Sequence, residues 1–179
     1  MELTDVHAIS NNFSLITSAK KGDKEAFISL MEDNKIDMYR ISKGILNNES
    51  DIEDAMQNTI MIVYEKLHTL KNNDFFKTWL IRILINECNN IYKKNKKTTS
   101  IDKVKENTTA NKFANVDLYN ALNSLDYKLR VVIVLFYFED MTTKEIAKSI
   151  GISDTAVRTR LFRGREKLYN FLGRDYSNE

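Results

Sequence analysis

Arg158, Thr159, Arg160, Phe162, Arg163 and Arg165 crowd a short stretch near the end of the chain. Arginine presents a planar fork of donors that matches guanine O6 and N7, or the oxygens of a phosphate. Phenylalanine offers apolar contact to a thymine methyl. Such residues on one helix point to DNA. The elements that must hold that helix lie just upstream. Thr142 and Glu145 have capping-box spacing. Ile146, Ala147 and Ile150 bury one face of a short helix, with Ala147 small where a second helix crosses. Gly151 takes the left-handed conformation that ends the helix. Ile152 plugs the turn, and Ser153 caps a second helix whose Val157, Leu161 and Leu168 face inward. A short helix, a glycine turn and a second helix form the helix-turn-helix arrangement. A plain helical hairpin with a basic outer face is the alternative. The spacing of Ala147, Gly151 and Val157 favours the former.

Other reactive residues are sparse. His7 and His68 are far apart, and Cys88 has no neighbouring His or Cys at metal-ligand spacing. There is no phosphate-binding loop or dinucleotide fingerprint. No catalytic residue, metal or cofactor is expected, and Cys88 reads as a buried inert thiol. Charge is clustered instead. Lys93, Lys94, Lys96 and Lys97 form a second basic block, and Glu49–Asp54 an acidic one. Opposed clusters point to more than one macromolecular surface, or else to solvated helix faces.

The 179 residues include no Pro, five Gly and one Cys, with 42% hydrophobic residues and a net charge of +2. Disulfide scaffolds, collagen-like chains and intrinsically disordered chains are excluded on these grounds. The longest apolar run, Val131–Phe138, is flanked by Arg130 and Glu139 and is a core segment, not a membrane span. The first residues lack the basic-then-apolar order of a signal peptide, so a cytoplasmic protein is expected.

Little interrupts a helical pattern. Ala26, Phe27, Leu30 and Met31 start a helix entered through Gly22 and Asp23. Ile52, Met56, Ile60, Val63 and Leu67 form one face of another, with Ser50 and Glu53 as its capping box. Leu80, Ile83 and Leu84 lie on a third, running to about Tyr92. Lys, Asn, Thr and Ser then dominate to about Asn115, which reads as a flexible tether. Beyond it, Val131, Val132, Val134, Leu135 and Phe138 share a helix that Asp126 can cap. The expected fold is all-α: two small helical domains, residues 12–94 and 116–173, joined by a linker at 95–115.

Two segments carry a family resemblance. DIEDAMQNTIMIVYEKL (51–67) followed by FFKTWLIRILINECNNIY (75–92) resembles region 2 of bacterial RNA polymerase sigma factors, and GISDTAVRTRLFRGREKL (151–168) resembles their region 4. Their order and spacing resemble the extracytoplasmic-function (ECF) group, over about Leu15–Leu172. The resemblance implies an alternative sigma factor: no enzyme, but a transcription initiation factor that lends promoter specificity to core RNA polymerase. Region 2 would dock on the β′ coiled coil and melt the −10 element. Region 4 would sit on the β flap and read the −35 element.

By the same resemblance, Asp51, Glu53, Asp54 and Gln57 face the polymerase. Asn58 departs from the acid common at its position, and the acids can also compensate the helix dipole. Trp79 matches an aromatic that wedges against the melted segment, or is core filler. Asn86 matches a base-contacting position, or is an ordinary exposed residue. Lys71, Asn72 and Asn73 lie in a loop that resembles the one holding a flipped-out base, or in a plain polar turn. Lys77 and Arg82 are candidate phosphate contacts, and the Lys93–Lys97 block is a candidate extension of them. In region 4, Arg158, Thr159, Phe162 and Arg163 match −35-reading positions, with Arg160 and Arg165 on phosphates. An anti-sigma factor, membrane-anchored, is the further partner implied. The competing reading is a one-component helix-turn-helix regulator that acts on a symmetric operator without polymerase.

Overall fold

Short polar side chains set most of the helix starts. The computed structural model describes residues 13–98 and 115–175, all of them helical or in short turns, with no strand. Most of the expected tether therefore lies outside the described residues. Helix α1 (13–20) ends in a turn where Gly22 adopts a φ of 96°, a conformation that favours glycine. Asp23 then caps α2 (Lys24–Ile45), its carboxylate accepting from the Ala26 N–H at 3.1 Å. Helix α3 (Glu49–Lys66) starts two residues earlier than expected. Asn48 is its cap, accepting from the Ser50 N–H at 2.9 Å, so the Ser50–Glu53 capping box does not form. Asn48 holds the extended backbone that a cap needs, which leaves Ser50 inside the first turn.

Two 3-10 turns, Leu67–Thr69 and Asn73–Phe75, lead into α4 (Phe76–Thr98). This helix continues beyond Tyr92 through the Lys93–Lys97 block. Lysine is a good helix former, and its charge is favourable at a helix C-terminus, where the carbonyl dipoles end. Asn95 also donates to the Asp51 carboxylate at 2.7 Å, tying the end of α4 to the start of α3. Leu30, Met38, Ile41 and Ile45 of α2, Ile52 and Val63 of α3, and Leu80, Leu84 and Ile85 of α4 are all but inaccessible and form the core of this half. Cys88 joins them. Burial pushes its thiol up to about 12, which makes it unreactive.

The second half comprises α5 (Asn115–Asn123), α6 (Tyr127–Phe138), α7 (Thr143–Ile150) and α8 (Asp154–Asp175). Asp126 precedes α6, but its side chain makes no capping bond; Lys167 takes it at 2.7 Å instead. Leu129 through Leu135 are buried without a break, so α6 has no solvent face over two turns. A helix enclosed all round needs partners on every side. Helices α7 and α8 cover one side, and α2 of the first half covers another. Apolar residues of both halves consequently belong to one continuous buried cluster.

Candidate nucleic-acid interface

The helix-turn-helix is built as its residues require. Thr142 accepts from the Glu145 N–H, and the Glu145 carboxylate accepts from the Thr142 N–H at 2.8 Å, closing the capping box. The Thr142 hydroxyl, which donates to the same carboxylate at 2.7 Å, and the Thr142 N–H hold the Glu145 carboxyl below its usual range. Gly151 ends α7 with φ 70° and ψ 39°. The Ile152 N–H reaches back to the Ala147 carbonyl at 3.1 Å, and Ser153 caps α8 by accepting from the Ala156 N–H at 3.2 Å. Ile146 and Val157 are fully buried where the two helices cross.

Helix α8 thus presents a fixed outer surface. At about 100° per residue, Arg158, Phe162 and Arg165 lie within roughly 60° of one another. Phe162 is 70% exposed, a poor position for an aromatic ring unless something covers it. Arg158 donates to Asp154 at 2.9 Å, one turn back. Arg165 donates to the Tyr137 hydroxyl at 2.8 Å, and its guanidinium lies over the Phe136 and Tyr137 rings. Thr159 is exposed beside this group, its hydroxyl returned to the Thr155 carbonyl. Arg160, Arg163 and Lys167 occupy the opposite side of α8, again within roughly 60° of one another. They line a groove of about 1100 Å³ whose other wall includes Tyr92, Lys93 and Lys96 of α4. The helix therefore sets Arg163 on a different side from Arg158, Thr159 and Phe162, the residues grouped with it by the family resemblance.

Helix α4 offers a second surface of a different kind. Trp79, Arg82 and Asn86 fall within roughly 60° on one face. Arg82 and Asn86 are exposed, and neither makes a side-chain hydrogen bond or ion pair among the described residues. Trp79 is half-buried, tilted against Phe76 with ring centroids 6.3 Å apart. Phe75 shares this face and is 61% exposed. Sequence reasoning missed it; the signal was an aromatic one helical turn before Trp79 and outside the buried pattern. Lys77 points elsewhere, about 160° from Trp79. It contacts Asp37 at 2.9 Å and Glu139 at 3.2 Å, so it does not join the other −10 candidates.

The loop before α4 is part structural. Asn73 accepts from Lys20 and donates to Thr17, each at 3.0 Å, and Asn72 accepts from the Asp74 N–H. Lys71 is left pointing to solvent.

On α3, Glu53, Asp54 and Gln57 are exposed, whereas Asp51 is half-buried under Asn95 and burial pushes its carboxyl up. Met61 continues the face of Asp54 and Gln57 and is 62% exposed. Tyr64 follows, its ring edge-on to Phe27 at 5.1 Å. Neither Met61 nor Tyr64 was singled out from the sequence. Both are apolar residues that fall off the buried stripe, and that was the available signal. Among the described residues no His, Cys, Asp and Glu group could hold a metal ion, and no helix is long and apolar enough to cross a membrane.

Comparison with known proteins matches both halves separately. The family model "Sigma-70 region 2" matches residues 30–98, and "Sigma-70, region 4" matches residues 115–168. RNA polymerase sigma factor SigV of Bacillus subtilis is 30% identical over 152 residues, which cover 80% of this chain and 89% of SigV. ECF RNA polymerase sigma factor SigW of the same organism is 28% identical, over 86% of this chain and 92% of SigW. Among solved structures, CnrH in complex with the cytosolic domain of CnrY is 25% identical and superposes with a TM-score of 0.69, over 92% of this chain and 99% of CnrH.

Proposed function

The chain belongs to the sigma-70 family as an ECF sigma factor, an alternative specificity factor for transcription initiation, and on that premise we propose how its surfaces divide the work. The α3 face of Asp54, Gln57 and Met61 docks on core RNA polymerase. Its exposed carboxylate, amide and thioether suit a partner with both basic and apolar groups. Helix α4 engages the −10 element, with Phe75 and Trp79 available to stack on bases that have left the duplex and Arg82 and Asn86 beside them for phosphate and base edges. Helix α8 enters the major groove of the −35 element, with Arg158, Thr159 and Phe162 toward the bases. Residues 12–94 and 116–173 serve as the two functional units. The protein works in the cytoplasm and catalyses nothing itself; the chemistry is the polymerase's. An anti-sigma factor, membrane-anchored, is its inhibitory partner. CnrH is seen with the cytosolic domain of another protein, which supports a partner of that kind.

The observation that carries this reading is the contrast between the two exposed faces: single aromatics on α4 and a capped, arginine-rich helix-turn-helix on α8. The test is selection from a random duplex library. With core polymerase, the chain should enrich fragments with two unlike sequence blocks at fixed spacing. Tight binding of the isolated chain to a palindrome would contradict the proposal.

A further inference from the structure

Two basic features have no task in promoter reading as proposed: the Lys93–Lys97 block, and Arg163 on the side of α8 away from Arg158 and Phe162. The fold brings them to one place. Lys93 and Lys96 of α4 line one wall of the groove of about 1100 Å³, Arg160 and Arg163 of α8 line another, and Lys128 of α6 joins them. Two acids line the same groove. Asp126 is taken by Lys167 at 2.7 Å, which leaves Glu166 against the cations. Lys93, Lys128, Arg160 and Arg163 make no side-chain hydrogen bond or ion pair among the described residues. Buried Arg130 adds a charge beneath them. Its Nη1 and Nη2 donate to the Ile45, Asn123 and Leu125 carbonyls and to Asn47, while its Nε has no acceptor among the described residues.

The groove also holds a ring. Tyr92 and Tyr127 stack at 3.8 Å with their planes 12° apart, and Tyr127 donates to Asn89 at 2.7 Å, which fixes the pair. Tyr127 covers one face of Tyr92, yet Tyr92 stays 36% exposed and lines the groove. Cations gathered in a cleft without counter-charges focus a positive field and concentrate anions there. Arg160 and Arg163 are neighbours on α8, with Cβ atoms about 5–6 Å apart. Each guanidinium fork can take two oxygens of one phosphate. Two such forks with lysines beside them suit phosphates in series, and an exposed ring at the same site suits a base. The volume lies at the upper end of small-molecule sites. A duplex, whose major groove alone is about 12 Å wide, is too large for it.

We propose that this groove is a binding site for a nucleoside polyphosphate, its base stacked on Tyr92 and its phosphates held by Lys93, Lys128, Arg160 and Arg163. The cations come from α4, α6 and α8, so no single helix completes the site. Arg160 is the one residue shared with the proposed −35 surface. The site rests on the groove and its unpaired cations, not on the promoter-reading roles of α4 and α8.

Calorimetric titration of the full chain tests this, with ATP and GTP as probes beside tripolyphosphate, adenosine and poly-glutamate. At least one nucleotide should bind one to one, about fivefold or more tighter than tripolyphosphate because of the stacked base. Adenosine, without phosphates, should give no heat of binding. Lys128→Ala with Arg163→Ala should weaken nucleotide binding about tenfold or more, as lost charge-assisted bonds do. Lys24→Ala with Lys66→Ala removes the same charge from exposed positions outside the groove and should leave binding unchanged. Tyr92→Leu should erase the advantage of nucleotide over tripolyphosphate without weakening tripolyphosphate itself. Circular dichroism checks each variant; should Tyr92→Leu lose its helices, the comparison of nucleotide with tripolyphosphate on the wild-type chain decides the base contact. Failure of both nucleotides to bind overturns the proposal, as does an equal loss in the Lys24 and Lys66 variant. Tripolyphosphate matching the nucleotide overturns it too, because the base would then add nothing. Poly-glutamate binding as tightly as nucleotide would make the groove a seat for acidic peptides and would equally overturn it. None of these readouts involves polymerase or DNA, so they stand apart from the functional assignment.

Discussion

Helices α4 and α8 both carry exposed groups suited to DNA, but they hold them differently. On α8 the arginines are braced: Arg158 by Asp154, Arg165 by Tyr137 and the ring faces of α6. On α4, Arg82 and Asn86 are unbraced, and the apolar groups beside them are aromatic. A braced fork suits a duplex, whose base edges sit at fixed positions. Loosely held side chains beside an aromatic suit bases that must be caught after leaving a stack. On the proposed assignment, reading and melting are separable tasks within one chain.

The largest effect should come from removing the proposed polymerase-docking face, on which both proposed DNA faces would depend. Asp54→Arg with Gln57→Ala should abolish core pull-down and transcription while leaving the helical content intact by circular dichroism, since both side chains point away from the core. Retained pull-down would remove α3 from the polymerase interface.

The next two predictions sharpen the contrast itself. Phe75→Ala with Trp79→Ala should weaken binding of the holoenzyme to a pre-melted −10 strand by about 1–3 kcal/mol per lost stack, with little change on intact −35 duplex. Half-buried Trp79 will also cost some stability, so Phe75→Ala alone is the cleaner variant. Arg158→Ala should lose about 1–3 kcal/mol at one −35 base position and relax selectivity there. Arg160→Ala should instead weaken all sequences about equally and flatten the salt dependence. A base-substitution panel at two salt concentrations separates these outcomes. Uniform loss for Arg158→Ala would make it a positioning residue.

The smallest effect tests the brace. Thr142→Ala should destabilise the fold by about 1 kcal/mol, the ordinary value of a lost cap. Glu145 adds a pH signature. Its carboxyl is held low in the fold by its bonds to Thr142, so its contribution is present above the unfolded value near 4.5 and fades as the pH falls below it. The deficit of Thr142→Ala, followed by thermal melting, should therefore shrink in acid.

Much of this was legible beforehand because it is local. The Thr142–Glu145 box, the left-handed Gly151 and the buried Val157 each follow from a few neighbouring residues. What was missed depends on distant partners. Asn48 displaced Ser50 as a cap because caps compete within a turn, and the winner depends on the incoming backbone. Asp126 was claimed by Lys167, forty-one positions away. Lys77 looked like its basic neighbours on α4 until the fold set it against Asp37 and Glu139. The unbroken burial of Leu129–Leu135 was visible as a core segment, but only the packing of α2 against its second side reveals what the extra apolar surface is for.

The division of labour between the two helices is tested most directly by permanganate footprinting of thymines in the −10 block, on a promoter recovered by the library selection and at saturating holoenzyme. The account predicts reactive thymines with the wild-type chain and with Arg158→Ala, and their loss with Phe75→Ala and Trp79→Ala combined. Undiminished reactivity in that double variant would contradict it, because melting would then not depend on the aromatic face of α4.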